Sequence, residues 1–410
     1  MQDKYIILIV LSVEEAKRLL FGQVELMSAV DRKVTDTLGF VLAADVCAPI
    51  DLPSFDQSAM DGYAVNVEPF PAAEHLISLP VKAEMKAGDK PLGPMQKNAA
   101  IRIFTGAAVP ENAHCIVVQE KVEVNAGDLK FSAAELRPNA NIRKRGSQIK
   151  AGELAVKAGM HLNPAAIGWL SSLGITSVPV FAKPLVSVLA TGNELKKPGS
   201  TLSEGQIYES NSFALKAALE HSNFKTLTLK SVPDQLQKTF AAIQKMLQAS
   251  DVLIISGGIS VGKYDLVKDT LFSLGVEQIL YKIAQKPGKP MFVGKYDKDH
   301  HRCMVFALPG NPAAALVCFY EYVLPALKKM SGFTEILPRT AMLPLQNDFE
   351  IMGDRALFLR AFATETGVQI LEGQDSNMMR SFAASNAIVY IPVNSSFLKK
   401  GQSVETHFLP

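Results

Sequence analysis

Four loops of this chain carry residues suited to holding phosphate or another oxyanion: Thr191-Gly-Asn-Glu-Leu195, Ser256-Gly-Gly258, Lys286-Pro-Gly-Lys289 and Leu308-Pro-Gly-Asn-Pro312. Gly257, Gly258 and Gly262 remove side chains where an anion can meet bare backbone N–H groups, and Ser260 lies between them. Helix starts after Ser256-Gly257-Gly258 and after Pro309, Gly310, Asn311 and Pro312 favour anions through hydrogen bonding and the helix dipole. Lys282, Lys286 and Lys289 add mobile positive charge, and Glu194 and Asp265 offer the hard oxygens that hold Mg2+ against a substrate phosphate. Taken singly, each feature also fits a plainer role: a glycine pair after a strand is a tight turn, and an acid at a loop end is a helix cap or a surface carboxylate. One glycine loop is a turn; four at one sheet edge are a site.

The elements that bring the loops to one edge are read from the apolar pattern. From Pro184 onward short buried runs alternate with amphipathic stretches: strand Leu185 to Ala190, helix Phe213 to His221, strand Lys225 to Val232, helix Asp234 to Gln248, strand Val252 to Ile255, helix Leu266 to Leu274, strands Val276 to Ile283 and Met304 to Ala307, and a helix from Pro312 to about Met330. That alternation predicts βαβ units and a parallel sheet, and in such sheets ligands bind beyond the carboxyl ends of the strands. Ser12 followed by Glu15 predicts a capping box opening a helix from Val13 to about Phe21. Short runs separated by Gly and Pro between Ile77 and Phe131 predict a small β-rich domain, and Pro164 to Leu173 reads as a helix. Beyond Gly332 the chain has strand-like stretches and no convincing helix, so a small β-barrel or sandwich is expected. The fold class is multidomain α/β plus β: a parallel α/β sandwich domain over 184–332, a β-rich N-terminal region with a small domain over 51–140 and a second piece made of 1–50 and 141–183, and a C-terminal β-barrel over 333–410.

At 410 residues the chain exceeds the size of a single core. A net charge of +2 with 20% charged residues excludes a long surface for nucleic acid. Cys47, Cys115, Cys303 and Cys318 form no CxxC pair, which argues against zinc or a disulfide scaffold, fits a reducing cytoplasm and predicts core positions. The apolar run from Ile6 to Leu11 is too short to span a membrane. Asn211 and Ser212 read as helix caps. Arg143, Lys144 and Arg145 read as a solvated turn, although one arginine directed into a cleft would suit an oxyanion.

The chain resembles the molybdopterin molybdenumtransferase family, which includes the E domain of gephyrin. The resemblance rests on Ser58-Ala-Met-Asp-Gly-Tyr-Ala64, Arg102-Ile-Phe-Thr-Gly-Ala107, Asn141-Ile-Arg-Lys-Arg-Gly146, Ala190-Thr-Gly-Asn-Glu-Leu195, Ser256-Gly-Gly-Ile-Ser-Val-Gly262 with Asp265, Lys286-Pro-Gly-Lys-Pro290 and Leu308-Pro-Gly-Asn-Pro312, in that order and nearly end to end. It implies a cytoplasmic, elongated homodimer, with 1–50 and 141–183 as its linking and dimerising part. It further implies that adenylated molybdopterin and molybdate are the substrates, Mg2+ is the cofactor and AMP is released. By motif, Asp61 and Thr105 fall in an N-terminal wall of the cleft, Glu194 and Asp265 near the metal and phosphates, and Lys282 and Lys286 among the anion binders; Arg360 and Ser376 resemble positions that hold molybdate. Partners implied are a molybdopterin adenylyltransferase and molybdoenzyme maturation proteins, with no nucleic acid and no membrane. Gln148 stands where many relatives carry an acid, and Ser231-Val232 replaces a pair of acids, with Asp234 nearby. Two rival readings are a nucleotide-processing enzyme of the molybdopterin adenylyltransferase type, which shares the α/β domain and the Gly-Gly loop, and a non-catalytic scaffold of the gephyrin kind.

Overall fold

The computed structural model describes residues 10–69, 71–259, 265–298, 301–351, 353–393 and 397–410. The chain forms two compact units, one of Met1–Val30, Gly39–Ala43 and Val180–Pro410, the other of Asp31–Leu38 and Ala44–Pro179.

The larger unit is built on a seven-stranded sheet in the order Val10–Leu11, Glu277–Ile283, Pro290–Lys298, His301–Leu308, Val252–Ser256, Val186–Thr191, Thr226–Val232. The strand Val252–Ser256 shows why a continuous apolar run is needed: all of it is buried, and successive side chains point to opposite faces. Val252 and Ile254 enter a core shared with Leu20, Leu215 and Phe319, whereas Leu253 and Ile255 enter a second core with Ile243, Leu247 and Leu271. The helix Leu236–Ala249 buries Thr239, Ala242, Ile243, Met246 and Leu247, one stripe of a 3.6-residue repeat.

The strands ending at Thr191, Val232, Ser256 and Leu308 run parallel, as the alternation predicts. The sheet is nevertheless mixed, because Pro290–Lys298 pairs antiparallel with both neighbours. Sequence reading passes over this strand since Pro290, Gly294 and Lys295 interrupt its apolar pattern. Gly294 has a packing reason: a Cβ there would lie 2.6 Å from Val276 Cγ1. Two reversals return Glu277–Ile283 to the common direction, so its end meets the same sheet edge as the other three loaded ends.

The capping box forms, with Glu15 N donating to Ser12 Oγ at 3.1 Å and Ser12 N to Glu15 Oε2 at 2.9 Å. Val10–Leu11 joins the sheet beside Lys282 and Ile283; the rest of the expected apolar run, 6–9, lies outside the described residues. The long helix consists of Pro312–Cys318, a π-helical turn Phe319–Val323 and Leu324–Met330. The C-terminal strands Thr340–Pro344, Ser403–Phe408, Ala387–Ile391, Ala356–Thr364 and Gly367–Ile370 pair in sequence, and the bridge between Leu345 and Val368 closes the ring. A helix, Met379–Ala383, occurs where none was expected; five residues are too few for a periodic pattern to show.

In the smaller unit, Cys115–Val118, Gly62–Asn66, Ala99–Ile103, Leu76–Met85, Asp128–Ser132 and Glu123–Asn125 form a six-stranded sheet. Asn163 caps the helix Pro164–Ser172. Cys115, Cys303 and Cys318 are buried, but Cys47 is exposed on a two-residue strand, against the expectation of a core position. Among the described residues no helix is long and apolar enough to cross a membrane.

Candidate active site

Two adjoining cavities of the larger unit open at the loaded sheet edge. The first, about 570 Å³, is lined by Thr191, Glu194, Glu209, Asn211, Asp234, Ser256, Gly257, Gly258, Ile259 and the turn Pro309–Pro312. Its glycines answer a steric demand. Gly257, at φ +90°, would place a Cβ 2.3 Å from the Thr191 carbonyl oxygen, and Gly258, at φ +67°, would place one 2.4 Å from Val267 Cγ2. Gly257→Ala is therefore expected to cost about 1–3 kcal/mol in strain alone, read as a lower urea midpoint, and to push the Val252–Ser256 and Val186–Thr191 strand ends apart. Ser260 and Gly262, also singled out by sequence, lie outside the described residues.

The acids are arranged differently from the expected pairing of Glu194 with Asp265. Asp265 is 7% exposed and caps the helix Leu266–Ser273: its Oδ1 accepts from Lys268 N at 3.0 Å, and its Oδ2 faces the Tyr281 hydroxyl at 3.4 Å. It lines neither cavity. The carboxylate that approaches Glu194 is Asp234, whose pKa is raised by burial and by the Glu194 charge. Asp234 N donates to Asn193 Oδ1 at 3.0 Å, tying the two loops together. Among the described residues no group of three or more His, Cys, Asp or Glu is placed to hold a metal by itself. Two carboxylates plus ligand oxygens are a usual Mg2+ environment.

Asn211 and Ser212 do not cap their helix. Ser212 donates through N and Oγ to Glu209, at 2.8 and 2.5 Å, while Asn211, the first helical residue, donates to Ser256 Oγ and to the Gly310 carbonyl, each at 2.7 Å.

The second cavity, about 440 Å³, is lined by Lys286, Gly288, Lys289, Pro290, Pro309, Asn311, Arg355, Gln374, Asp375, Ser376 and Asn377. Three cations and several amides suit an oxyanion. Lys282 lies off both cavities, its ammonium 5.3 Å from the Tyr281 ring centre. Ser376 lines the cavity, accepting from Asn311 Nδ2 at 2.8 Å. Arg360 does not: it is fully buried, donates through Nη2 to the carbonyls of Gly373 and Asp375 at 2.6 and 2.9 Å and through Nε to Ser381, and its Nη1 has no partner among the described residues. Burial pushes its guanidinium down to about 10 against the opposing charge of Asp375. The arginine that does line the cavity is Arg355, which sequence reading missed although it lies five residues earlier, just before the strand Ala356–Thr364.

In the smaller unit, Asp61 Oδ1 accepts from both N and Oγ1 of Thr105, each at 2.7 Å. Those bonds, backbone first, and the nearby Arg102 lower its pKa. Gly62 is required where it stands, since a Cβ would lie 2.1 Å from the Val117 carbonyl oxygen. Lys144 pairs with Asp56 at 2.8 Å and Arg145 with Asp51 at 2.5 Å, leaving exposed Arg143 without a carboxylate partner among the described residues.

Three family models match the chain. Residues 11–174 match the family described as MoeA N-terminal region (domain I and II), 187–329 the probable molybdopterin binding domain, and 342–409 the MoeA C-terminal region (domain IV). The chain is 35% identical to a molybdopterin molybdenumtransferase of Haemophilus influenzae, over 89% of this chain and 90% of that protein. It is 32% identical to molybdopterin molybdenumtransferase 2 of Mycobacterium tuberculosis, over 93% and 95%. The crystal structure of the molybdopterin biosynthesis MoeA protein from Pyrococcus horikoshii superposes with a TM-score of 0.83 at 30% identity, covering 98% of this chain and all of that one.

Proposed function

The chain belongs to the molybdopterin molybdenumtransferase family, and we propose that it transfers molybdenum from molybdate to adenylated molybdopterin, with Mg2+ as cofactor and AMP as the released product, in molybdenum cofactor biosynthesis. The observation that carries the reading is the adjacency of two unlike cavities: one has glycine-bared backbone and two facing carboxylates, the other three cations, and they share Pro290, Pro309, Asn311 and Asn377.

The first cavity suits the phosphoanhydride. Gly257 and Gly258 admit its oxygens to the backbone, and Ser256 and Asn311 line the same cavity; the first N–H groups of the helix after Pro312 are already taken by the Ser376 and Asn311 carbonyls. Glu194 and Asp234 are the residues that fit Mg2+, since Asp234 is raised by burial and by the Glu194 charge and a cation held by both would offset each; when bound, it would neutralise phosphate charge as the anhydride is cleaved and AMP leaves. The second cavity suits molybdate, held by Lys286, Lys289 and Arg355 with the Ser376 hydroxyl and the Asn377 amide on its wall. Arg360 supports that wall from beneath by holding the carbonyls of Gly373 and Asp375, and Asp265 positions the helix after the glycine loop. A homodimer in the cytoplasm fits the family.

The test is AMP release from adenylated molybdopterin by the purified protein. Release that requires both molybdate and Mg2+ is expected. Pyrophosphate formation from ATP and molybdopterin in its place would favour the adenylyltransferase reading, and a folded protein that binds neither substrate would favour a scaffold.

A further inference from the structure

A chain of side-chain amides crosses the site. Asn211 donates one amide hydrogen to Ser256 Oγ and the other to the Gly310 carbonyl, each at 2.7 Å, so it fastens the end of the Val252–Ser256 strand to the turn that follows His301–Leu308. The next residue of that turn, Asn311, donates to Ser376 Oγ at 2.8 Å, and the Ser376 carbonyl accepts from Ala313 N and Ala314 N at 3.0 and 3.3 Å. Ser256 is buried and faces the Pro309 carbonyl at 3.5 Å; Gly257 N donates to the Leu308 carbonyl at 3.3 Å. The turn Pro309–Asn311 is thus held from one side by Asn211 and from the other by Ser376. It is also the wall common to both cavities. Gly310 itself is unrestrained by packing, because a Cβ there would meet only Gly257 Cα at 3.5 Å. Its position is set by hydrogen bonds.

We propose that Asn211 is a positioning residue for the oxyanion cavity that it does not line: through the Gly310 carbonyl it fixes the shared turn, and through Asn311 and Ser376 it sets the wall against which molybdate is held. The proposal rests on the functional reading above. A hydrogen-bonded tether of this kind lowers the ordering cost of the second ligand, because the turn is already fixed when it arrives. Asn211 and Ser376 share no contact, so independent sites would give additive effects and a shared turn would not.

Direct binding of molybdate, followed by calorimetry on the intact protein, tests this. Asn211→Ala is expected to weaken molybdate binding roughly tenfold, the consequence of one to two neutral hydrogen bonds lost, in a protein that remains folded. Ser256→Ala, which leaves Asn211 and its bond to Gly310 in place, is expected to weaken it about threefold and serves if Asn211→Ala does not fold. Adding Asn311→Ala to Asn211→Ala should cost no more than about twofold beyond the larger single effect. In the AMP-release assay the half-saturating molybdate concentration should rise by a larger factor than the rate at saturation falls, a split that general destabilisation does not produce. Molybdate affinity within about twofold of wild type in folded Asn211→Ala, or strictly multiplicative losses in the double variant, overturns the proposal. A wild-type protein that binds no molybdate sinks the functional reading and this proposal together.

Discussion

Lys286→Ala is expected to lower turnover by ~10²–10³-fold, the usual loss when one electrostatic donor aimed at developing charge is removed, without loss of fold. The side chain is exposed, so its truncation opens no core cavity. The backbone that carries it is fixed independently: Gln285 and Lys286 pair with Ala356 and Leu357, and the buried Gln285 amide donates to the Pro287 carbonyl at 3.0 Å and accepts from the Tyr322 hydroxyl. Arg355 and Arg360 provide the contrast. Arg355→Ala should reproduce the Lys286→Ala phenotype, a stable protein with weakened oxyanion use. Arg360→Ala should instead fail through folding, because removing this fully buried side chain opens a cavity, at about 2–5 kcal/mol, and leaves the carbonyls of Gly373 and Asp375 with one donor each, Ser381 Oγ and Met378 N. Molybdate-dependent AMP release measured alongside urea unfolding separates the two. Wild-type turnover in a folded Lys286→Ala protein would remove the oxyanion assignment of the second cavity.

How much of this could be read from sequence differs by residue, for physical reasons. The strand ends were legible because a doubly buried strand needs an unbroken apolar run and the turn that follows needs glycine, so Val252 to Gly258 announces both. The convergence of three such ends was legible because parallel crossovers force it; His301–Leu308 joins them through two reversals about Pro290–Lys298, a strand its broken apolar pattern concealed. Asp234 and Asp265 look alike in sequence: each follows a loop and precedes a helix. Only the fold shows that one faces Glu194 and the other closes a helix end. Arg355 and Arg360 stand five positions apart, one just before the strand Ala356–Thr364 and the other in its middle, and whether an arginine faces a cavity or the interior depends on where that strand begins. The role of Asn211 was out of reach, since its two acceptors lie 45 and 99 positions away in the chain. A local cap was the only reading its neighbours allowed.

The second large effect is on stability and lies away from both cavities. Glu321 is fully buried on the π-helical turn, where it accepts from Lys17 Nζ at 2.7 Å and meets His407 Nδ1 at 2.7 Å; His407 Nε2 reaches Glu405 at 3.0 Å. Tyr390 stacks beside His407 and donates to Glu14, while Tyr322 and Phe358 face the Lys17 ammonium, and Lys328 and Arg339 stand across the adjacent cavity. The group therefore joins the N-terminal helix, the long helix of the α/β core and the last strand of the C-terminal ring. Glu321→Ala leaves Lys17 and His407 buried without their carboxylate and is expected to cost about 3–5 kcal/mol. The pH dependence follows from two opposed shifts. Burial alone would raise Glu321, but the hydrogen bond from His407 and the Lys17 charge outweigh it, so its pKa falls below the ordinary 4.5. Burial alone would lower His407, but Glu321 and Glu405 outweigh it, so its pKa rises above the ordinary 6.5. The Glu321 contribution is present above 4.5 and is lost as pH falls through the lowered value; the His407 contribution is full below 6.5 and is lost as pH rises through the raised one. The two overlap fully between those limits. Urea unfolding of wild type and His407→Gln should accordingly differ most at about pH 5.5 and least at about pH 9. A difference that is flat across this range, or that grows with pH, would show that His407 carries no charge in the folded protein and that Lys17 alone balances Glu321.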